Sequence, residues 1–237
     1  EYVGEDIPDI DEPKTEPNWE AYGWNSRYDE LAKEVAGNGG AVITGAAGVG
    51  KSKLLDAIER AIKEIDPKAI IVRGALRHAA CRLIRGQTIL HLLHRCKWWQ
   101  NFWLILDEFT EIPLSMWADI MRWKLVGVKF VILGDDGQRG AIFDRWQDAL
   151  EQYQKRGETV GGSRMMADLA KGLHIKLQTY KRGDDATHFN HYTSLYGLDR
   201  RAKDVRRRAL HRMQQHYIWD GQPPTLCFCE SHEKRKA

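Results

Sequence analysis

The feature that most constrains this chain is the segment Gly45–Ser52, which has the spacing G-x-x-x-x-G-K-S. Apolar and β-branched residues precede it, and apolar residues at helical spacing follow it. Glycines at these positions let successive backbone N–H groups point inward around a phosphate. A strand, a glycine-rich loop and a helix in this order predict a Walker A phosphate loop in an α/β fold.

The residues of this loop have distinct expected parts in binding a nucleoside triphosphate. Lys51 can reach the β- and γ-phosphates, and the hydroxyl of Ser52 can ligate Mg²⁺. The helix predicted from Lys53 to about Glu64 adds the partial positive charge of its N-terminal end. A glycine-rich turn without a ligand would not explain Lys51 and Ser52 together. The expected site for ATP and Mg²⁺ consists of Gly45, Ala46, Ala47, Gly48, Val49, Gly50, Lys51 and Ser52.

A second apolar strand is predicted to deliver two acidic residues to the same site. Phe102–Leu106 is apolar and is followed directly by Asp107 and Glu108. We expect this strand to lie beside the strand that precedes the phosphate loop. Asp107 would then fall near Mg²⁺, and Glu108 would polarise the attacking water. The alternative is a strand that ends in a solvated acidic turn.

A third apolar strand, Lys129–Leu133, runs into Gly134 and Asp135, with Gln138 shortly after. Ligands of open α/β sheets gather at the carboxyl ends of strands, which is the reason to group this segment with the other two. Gln138 is a candidate for contact with the γ-phosphate or the attacking water. Asp135 and Gln138 could equally be turn residues.

Strands that alternate with helices through this region predict a parallel sheet covered by helices on both faces. Beyond residue 142 the pattern weakens and is mostly helical, so we expect an α-rich C-terminal extension. The segment 1–17 is acidic, contains Pro8, Pro13 and Pro17, and is expected to be a disordered leader.

In this order the motifs resemble those of the first motor domain of superfamily 1 helicases, most closely the 5′-to-3′ branch that includes RecD-like enzymes. The resemblance covers about Val42 to Arg182. Asp107 and Glu108 match the second helicase motif, Gly127–Gln138 matches the third, and Leu177–Arg182 resembles a motif of the form L-x-x-x-x-R. The resemblance implies a RecA-like P-loop NTPase fold.

The resemblance also implies roles for individual residues. It gives catalytic roles to Lys51, Glu108, Gln138 and Arg182, and it makes Ser52 and Asp107 the metal ligands. Arg182 would reach the γ-phosphate. The strand-contacting motif of the family is matched by Gly74–Ala80 and Gly86–His91, and it makes Arg77, His78, Thr88 and His91 candidates for contact with nucleic acid. A core or helix-capping role for His91 remains open.

The chain departs from the family pattern at several positions. Val49 stands where Thr is usual in the loop, and Leu76 replaces the usual Thr of the strand-contacting motif. The adenine-recognising Gln of the family has no clear match, and its place falls near Tyr28. These departures leave open a regulatory or scaffolding P-loop NTPase without unwinding activity. An RNA-virus type of superfamily 1 RNA helicase is a third possibility.

The expected organisation has three parts: the leader 1–17, a RecA-like ATP-binding motor domain 18–182, and a helical extension 183–237 that leads into a truncated second motor domain. The expected partners are single-stranded nucleic acid, with DNA favoured over RNA, and the second motor domain of the same chain. Because translocation in this family needs two RecA-like domains, this segment alone is expected to bind nucleotide poorly and to unwind nothing.

Bulk composition sets only broad limits. The formal net charge of +3 does not by itself argue for nucleic acid, and no apolar run is long enough for a membrane span. The four cysteines lack metal-site spacing, which favours free intracellular thiols. Nuclear and viral replication compartments are both compatible with this composition.

Overall fold

The computed structural model describes residues 14–15, 24–95, 101–135, 163–181, 189–190, 193, 207–208 and 211. The chain divides into two compact units, Glu1–Phe189 and Asn190–Ala237. All the strands and all the helices with stated bounds lie in the first unit. In the second unit the described residues, which include Arg207 and Arg208, are helical. None of the helices in the described part of the chain could span a membrane.

Seven strands form one sheet in the first unit. They are β1 (Lys14–Thr15), β2 (Gly40–Gly45), β3 (Ile70–Ala75), β4 (Gln87–Thr88), β5 (Phe102–Asp107), β6 (Lys129–Gly134) and β7 (His174–Leu177). Their order across the sheet is β1-β7-β2-β6-β5-β3-β4, and every neighbouring pair is parallel. The predicted parallel sheet is therefore confirmed.

Six helices accompany these strands in the described residues of the first unit. They are α1 (Trp24–Asn38), α2 (Lys51–Ile65), α3 (His78–Leu83), α4 (Ile89–Arg95), α5 (Leu114–Leu125) and α6 (Arg164–Leu169). A short 3-10 helix, Phe109–Glu111, follows β5. Helices α1 and α2 pack against each other. Helix α2 buries apolar residues at the helical spacing that its sequence predicts, namely Leu54, Leu55, Ile58 and Ile62.

Both faces of the sheet are buried. Successive side chains of a strand point to opposite faces, so each face can be followed through alternate residues. Leu104 and Phe130 point to one face and join an apolar cluster with Trp117 of α5. Ile105 and Val131 occupy the intervening positions and point to the other face, and they are fully buried as well. This double burial explains why the strands read as continuous apolar runs rather than as alternating ones.

The sheet corrects one expectation drawn from the sequence. Strand β5 does not lie beside β2, because β6 is inserted between them and pairs with both. Gln87 and Thr88 form the edge strand β4. Lys14 and Thr15 form the strand at the opposite edge and pair with β7. Pairing between distant strands leaves little trace in local sequence patterns.

A buried polar pair links β2 to β7 just before the phosphate loop. The Oγ1 of Thr44 lies 3.0 Å from the Nε2 of His174, and the two atoms form a hydrogen bond. Burial lowers the pKa of His174, and the nearby charge of Lys176 lowers it further. The folded chain therefore favours the neutral form of the His174 imidazole.

This pair predicts a specific loss of stability in mild acid. In the unfolded chain His174 takes up a proton near its ordinary pKa of about 6.5, whereas the folded chain resists protonation at this site. The contribution of His174 is thus present above pH 6.5 and is lost as the pH falls toward the lowered pKa of the folded state. The free energy of unfolding should therefore decline more steeply below about pH 6.5 in the parent chain than in His174→Gln.

Urea titrations of both proteins across this pH range measure the difference, and the glutamine variant provides a side chain that does not titrate. Parallel pH profiles for the two proteins would contradict the prediction.

Candidate nucleotide site

The phosphate loop connects β2 to α2 and has the strand-loop-helix context that its sequence predicts. Strand β2 ends at Gly45, and α2 begins at Lys51. Gly48 and Gly50 have φ angles of 89° and 94°, in the left-handed region that side chains disfavour. These two glycines let the backbone reverse within a few residues and enter α2 with its N-terminal end facing the loop.

The side chain of Lys51 lies across this loop. Its Nζ donates hydrogen bonds to the carbonyl oxygens of Gly45 at 2.5 Å and Ala46 at 3.0 Å. Both acceptors are neutral carbonyls, and a phosphate oxygen in the same place would add the attraction between opposite charges. The ammonium is therefore already held at the loop that is predicted to bind the phosphates.

A cavity of about 640 Å³ opens at the carboxyl ends of the central strands. The loop provides one wall, with Lys51 and Ser52. The other strands contribute Asp107 at the end of β5 with Glu108 after it, Gly134 at the end of β6 with Asp135 after it, and Lys181 in the segment after β7. The structure thus brings together the predicted loop, the predicted acidic pair and the end of the third apolar strand, even though β5 is one strand further from β2 than expected.

Burial sets the electrostatics of the acidic pair. It raises the pKa of Asp107, although the backbone N–H of Glu108 donates a 2.9 Å hydrogen bond to Oδ1 of Asp107 and the charge of Lys51 also lowers this pKa. Burial likewise raises the pKa of Glu108, and the adjacent carboxyl of Glu111 raises it further. Arg77 and Lys51 act on Glu108 in the opposite direction. A cation placed between the loop and Asp107 would relieve the cost of keeping these carboxylates charged.

Glu108 also has an unusual backbone. Its φ of 54° lies in the left-handed region, which is uncommon for residues other than glycine. The 3-10 helix Phe109–Glu111 follows at once, and the N–H of Glu111 donates to the carbonyl of Glu108 at 2.9 Å. This tight turn returns Glu111 to the side of Glu108, where its carboxyl group raises the pKa of Glu108.

The structure at the end of β6 decides whether Asp135 is a solvated turn residue, which the sequence left open. Asp135 lines the cavity and is only 2% exposed, so it is not a solvated turn residue. Gln138 lies outside the described residues, and so does Arg182. The structure describes the segment after β7 as far as Lys181. The backbone N–H of Lys181 donates a 2.9 Å hydrogen bond to the carbonyl of Gly48. Lys181 lines the cavity, a position that the sequence argument had reserved for Arg182.

Tyr28, which occupies the place expected for base recognition, supports the phosphate loop instead. It belongs to α1, is 3% exposed, and its hydroxyl donates to the carbonyl of Val49 at 3.3 Å. A side chain buried in this way is not open to stack on a base. The sequence could place Tyr28 near the loop but could not show that its hydroxyl points into the loop.

The four candidate contacts to nucleic acid lie beside β3 and β4, at one edge of the sheet. Ala75 of β3 is in register with Thr88 of β4; two residues after Ala75, Arg77 caps α3, which begins at His78. The Oγ1 of Thr88 accepts a 3.3 Å hydrogen bond from the N–H of His91, so Thr88 caps α4. Arg77, His78 and His91 are exposed, and Arg77 forms an ion pair with Glu111. We call Arg77, His78, Thr88 and His91 the β4 edge.

Comparison with known proteins places this fold and site in a family. A family model described as an AAA domain matches residues 25–162, which is more than half of the chain, and the chain belongs to this AAA domain family. No curated protein sequence matches the chain.

Several solved helicase structures share the fold. Pif1 helicase from Candida albicans is 18% identical with a TM-score of 0.55, and the match covers 78% of this chain and 46% of that chain. Bacteroides Pif1 bound to ssDNA is 16% identical with a TM-score of 0.52, covering 72% of this chain and 46% of that one. Bacteroides sp Pif1 in complex with ADP-AlF4 is 16% identical with a TM-score of 0.51, covering 70% and 45%.

The chain therefore spans just under half of the length of these solved structures. At these identities the likeness concerns the fold. The RecA-like architecture and the resemblance to helicase motor domains, both expected from the order of the motifs, are confirmed at this level.

The contact between Tyr28 and Val49 predicts a modest loss of stability in Tyr28→Phe. The substitution keeps the buried ring but removes the donor to a loop carbonyl, which should lower the free energy of unfolding by about 1 kcal/mol. Urea unfolding measures the change. Tyr180→Phe is the matched control, because the described contact of Tyr180 is ring stacking on Phe189 at 4.7 Å. Equal stability of Tyr28→Phe and the parent would contradict a structural role for the hydroxyl.

Proposed function

We propose that this chain is the ATP-binding and ATP-hydrolysing first motor domain of a helicase-type motor that translocates on DNA and unwinds it. The observation that carries the proposal is the single cavity in which Lys51, Ser52, Asp107 and Glu108 converge. A glycine-rich turn and a solvated acidic turn, the alternatives for these two segments, have no reason to share a cavity at the carboxyl ends of parallel strands.

The proposed roles follow from position and chemistry. The Nζ of Lys51 exchanges its hydrogen bonds to the carbonyls of Gly45 and Ala46 for bonds to the β- and γ-phosphates. Glu108 orients and deprotonates the attacking water, a task that suits a carboxylate whose pKa is raised by burial. Gln138 and Arg182 keep the roles that the resemblance implies. Lys181 lies at the cavity already and adds a second positive charge for the phosphates.

The residues present also fit a magnesium ion. Mg²⁺ binds through one or two protein oxygens together with phosphates and water, so a dense cluster of carboxylates is not required. Ser52 and Asp107 line the same cavity, and the burial of Asp107 favours a nearby cation. When bound, the ion would neutralise charge on the phosphates.

The proposal for DNA rests on relatives that share the fold. The solved structures include one Pif1 bound to ssDNA and one in complex with ADP-AlF4. The β4 edge provides exposed cationic and polar side chains that could contact phosphates of a single strand, which position the strand without reading its sequence. We further propose that turnover requires a second motor domain, and that residues 183–237 lead toward it.

One observation supports a second candidate, a regulatory or scaffolding ATPase that does not unwind. Tyr28 is buried against the phosphate loop, at the place where the family reads adenine. A chain that holds nucleotide through its phosphates alone would fit such a role. The two candidates differ in whether single-stranded nucleic acid stimulates hydrolysis.

The proposed function predicts that Glu108→Gln retains ATP binding and loses turnover by at least about 100-fold, because the amide cannot accept the proton of the attacking water. Lys51→Ala should weaken binding as well, since it removes the charge that faces the phosphates. Both effects are measured in a protein that carries residues 1–237 together with the proposed second motor domain, by nucleotide titration and by steady-state phosphate release. Unchanged turnover in Glu108→Gln would reject the assignment of Glu108.

The β4 edge predicts a separate effect on stimulation by nucleic acid. His91→Ala should reduce the stimulation of ATP hydrolysis by single-stranded DNA a few-fold and leave basal turnover unchanged, because one contact to the strand is lost. Thr88 is left intact in this test, since its hydroxyl caps α4. His94→Ala, an exposed histidine of the same helix, is the matched control. If both variants are stimulated as strongly as the parent, His91 is a surface residue without a role in strand contact.

A further inference from the structure

Arg73 of β3 forms a polar link between two helices that line the cavity. Its Nε donates to the Oε1 of Glu59 at 2.6 Å, and its Nη2 donates to the Oε2 of the same carboxylate at 2.7 Å. Nη2 also donates to the Oδ1 of Asp56 at 3.0 Å, and Nη1 donates to the carbonyl of Ile84 at 3.1 Å. Glu59 and Asp56 belong to α2, whereas Ile84 caps the C-terminal end of α3. One guanidinium therefore holds both helices.

Helix α2 connects this link to the phosphate loop. Lys51 and Ser52 are its first residues, and both line the cavity. Asp56 and Glu59 are three residues apart and lie on one side of the helix, about one and two turns beyond Ser52. A shift of the first turn toward bound phosphates would therefore also displace the two carboxylates that Arg73 holds.

The attachment of α3 depends on Arg73 for its polar part. The apolar contacts of α3 with β3 form a small cluster, separate from the main core, that consists of Ala75, Ala80, Cys81 and Ile84. The chain that follows α3 passes directly over the Arg73 backbone, because a Cβ at Gly86 would lie 2.5 Å from the carbonyl oxygen of Arg73. The side chain and the backbone of Arg73 thus both contact the segment at the C-terminal end of α3.

Helix α3 connects the cavity with the β4 edge. Leu83 and Ile84, at its C-terminal end, line the cavity. Arg77 caps its N-terminal end, and His78 is its first residue. Thr88 follows α3 in β4. A displacement of α3 would therefore move side chains that are proposed to contact a single strand.

We propose that Arg73 is a positioning residue that couples the cavity to the β4 edge, because it makes α3 follow α2 when phosphates bind at the first turn of α2. The inference rests on the proposed function and deepens it, since it names the residue through which the nucleotide and the strand affect each other. Thermodynamic linkage makes the effect reciprocal: a bound strand changes the affinity for nucleotide by the same factor.

The geometry of a guanidinium suits this role. It binds a carboxylate with two parallel hydrogen bonds and still directs a third nitrogen elsewhere. The Arg73 side chain is only 18% exposed, so these bonds are largely shielded from water. Hydrogen bonding to Glu59 raises the pKa of Arg73, so the link keeps its charge. Arg73→Lys also keeps the charge, but its single nitrogen cannot replace the bonds to both helices.

The test measures affinity for an oligothymidylate with and without a non-hydrolysable ATP analogue, in a protein that carries residues 1–237 together with the proposed second motor domain. In the parent the analogue should change this affinity by about fivefold or more, a typical size for coupling between two sites. In Arg73→Lys the factor should fall to within about twofold of one, because α3 no longer follows α2. The affinity for the analogue alone should stay near the parent value, since the phosphate loop is intact.

Glu59→Gln tests the same link from α2 and provides a second variant in case Arg73→Lys does not fold. It removes the charge and one acceptor of the carboxylate, so the coupling factor should fall as in Arg73→Lys. The double variant should lower the factor no further, because both residues act through one interaction. Arg60→Lys is the matched control: Arg60 is 72% exposed and pairs with Asp29 of α1 at 3.7 Å rather than with α3, so it should keep the parent factor.

The outcomes separate this inference from the proposed function. If the parent couples the two ligands and both Arg73→Lys and Glu59→Gln keep its factor, the role of Arg73 is overturned, even where the variants are less stable. An equal loss of coupling in Arg60→Lys overturns it as well, and so does a parent that binds both ligands without any mutual effect. A parent protein that fails to bind the analogue or the oligothymidylate rejects the proposed function and this inference together.

Discussion

The parallel direction of all the strands is the constraint on which the candidate site depends. Because β2, β6 and β5 run the same way, their carboxyl ends meet at one edge of the sheet, and so do the loops that follow them. Residues that are far apart in the chain, such as Lys51 and Glu108, come together there although their strands, β2 and β5, are not neighbours in the sheet. The strands that carry this edge are packed on both faces, since the central residues of β2, β5 and β6 are buried.

The sequence was informative where a local pattern has one structural solution. The spacing of Gly45–Ser52 predicted a phosphate loop between a strand and a helix, and the apolar run before Asp107 predicted a buried strand; both are confirmed in the fold. The sequence could not place β6 between β2 and β5, because strand order depends on packing between distant segments. The sequence also did not predict the edge strand β4, because a strand of two residues is too short to show a periodic pattern.

The acidic pair combines two opposing electrostatic effects. Burial raises the pKa of Asp107 and of Glu108, which makes their charged forms costly in the folded chain, while Lys51 and Arg77 reduce that cost. This balance supports the proposed roles, a cation near Asp107 and a proton acceptor at Glu108. Sequence spacing could identify these carboxylates, but it could not identify Glu111 as their neighbour. The turn that returns Glu111 to Glu108 depends on a left-handed backbone at Glu108, and the sequence has no glycine there to indicate it.

The phosphate loop is held from two sides before any ligand arrives. The hydroxyl of Tyr28 donates to Val49 from α1, and the backbone N–H of Lys181 donates to Gly48 from the segment after β7. A loop ordered in this way loses little conformational entropy on binding a ligand, so the affinity expected for nucleotide depends mainly on the exchange proposed for Lys51. That exchange replaces two neutral carbonyl acceptors with charged phosphate oxygens. Affinity at this loop should therefore follow the charge of the phosphates more closely than the identity of the base, in agreement with a Tyr28 that is buried against the loop.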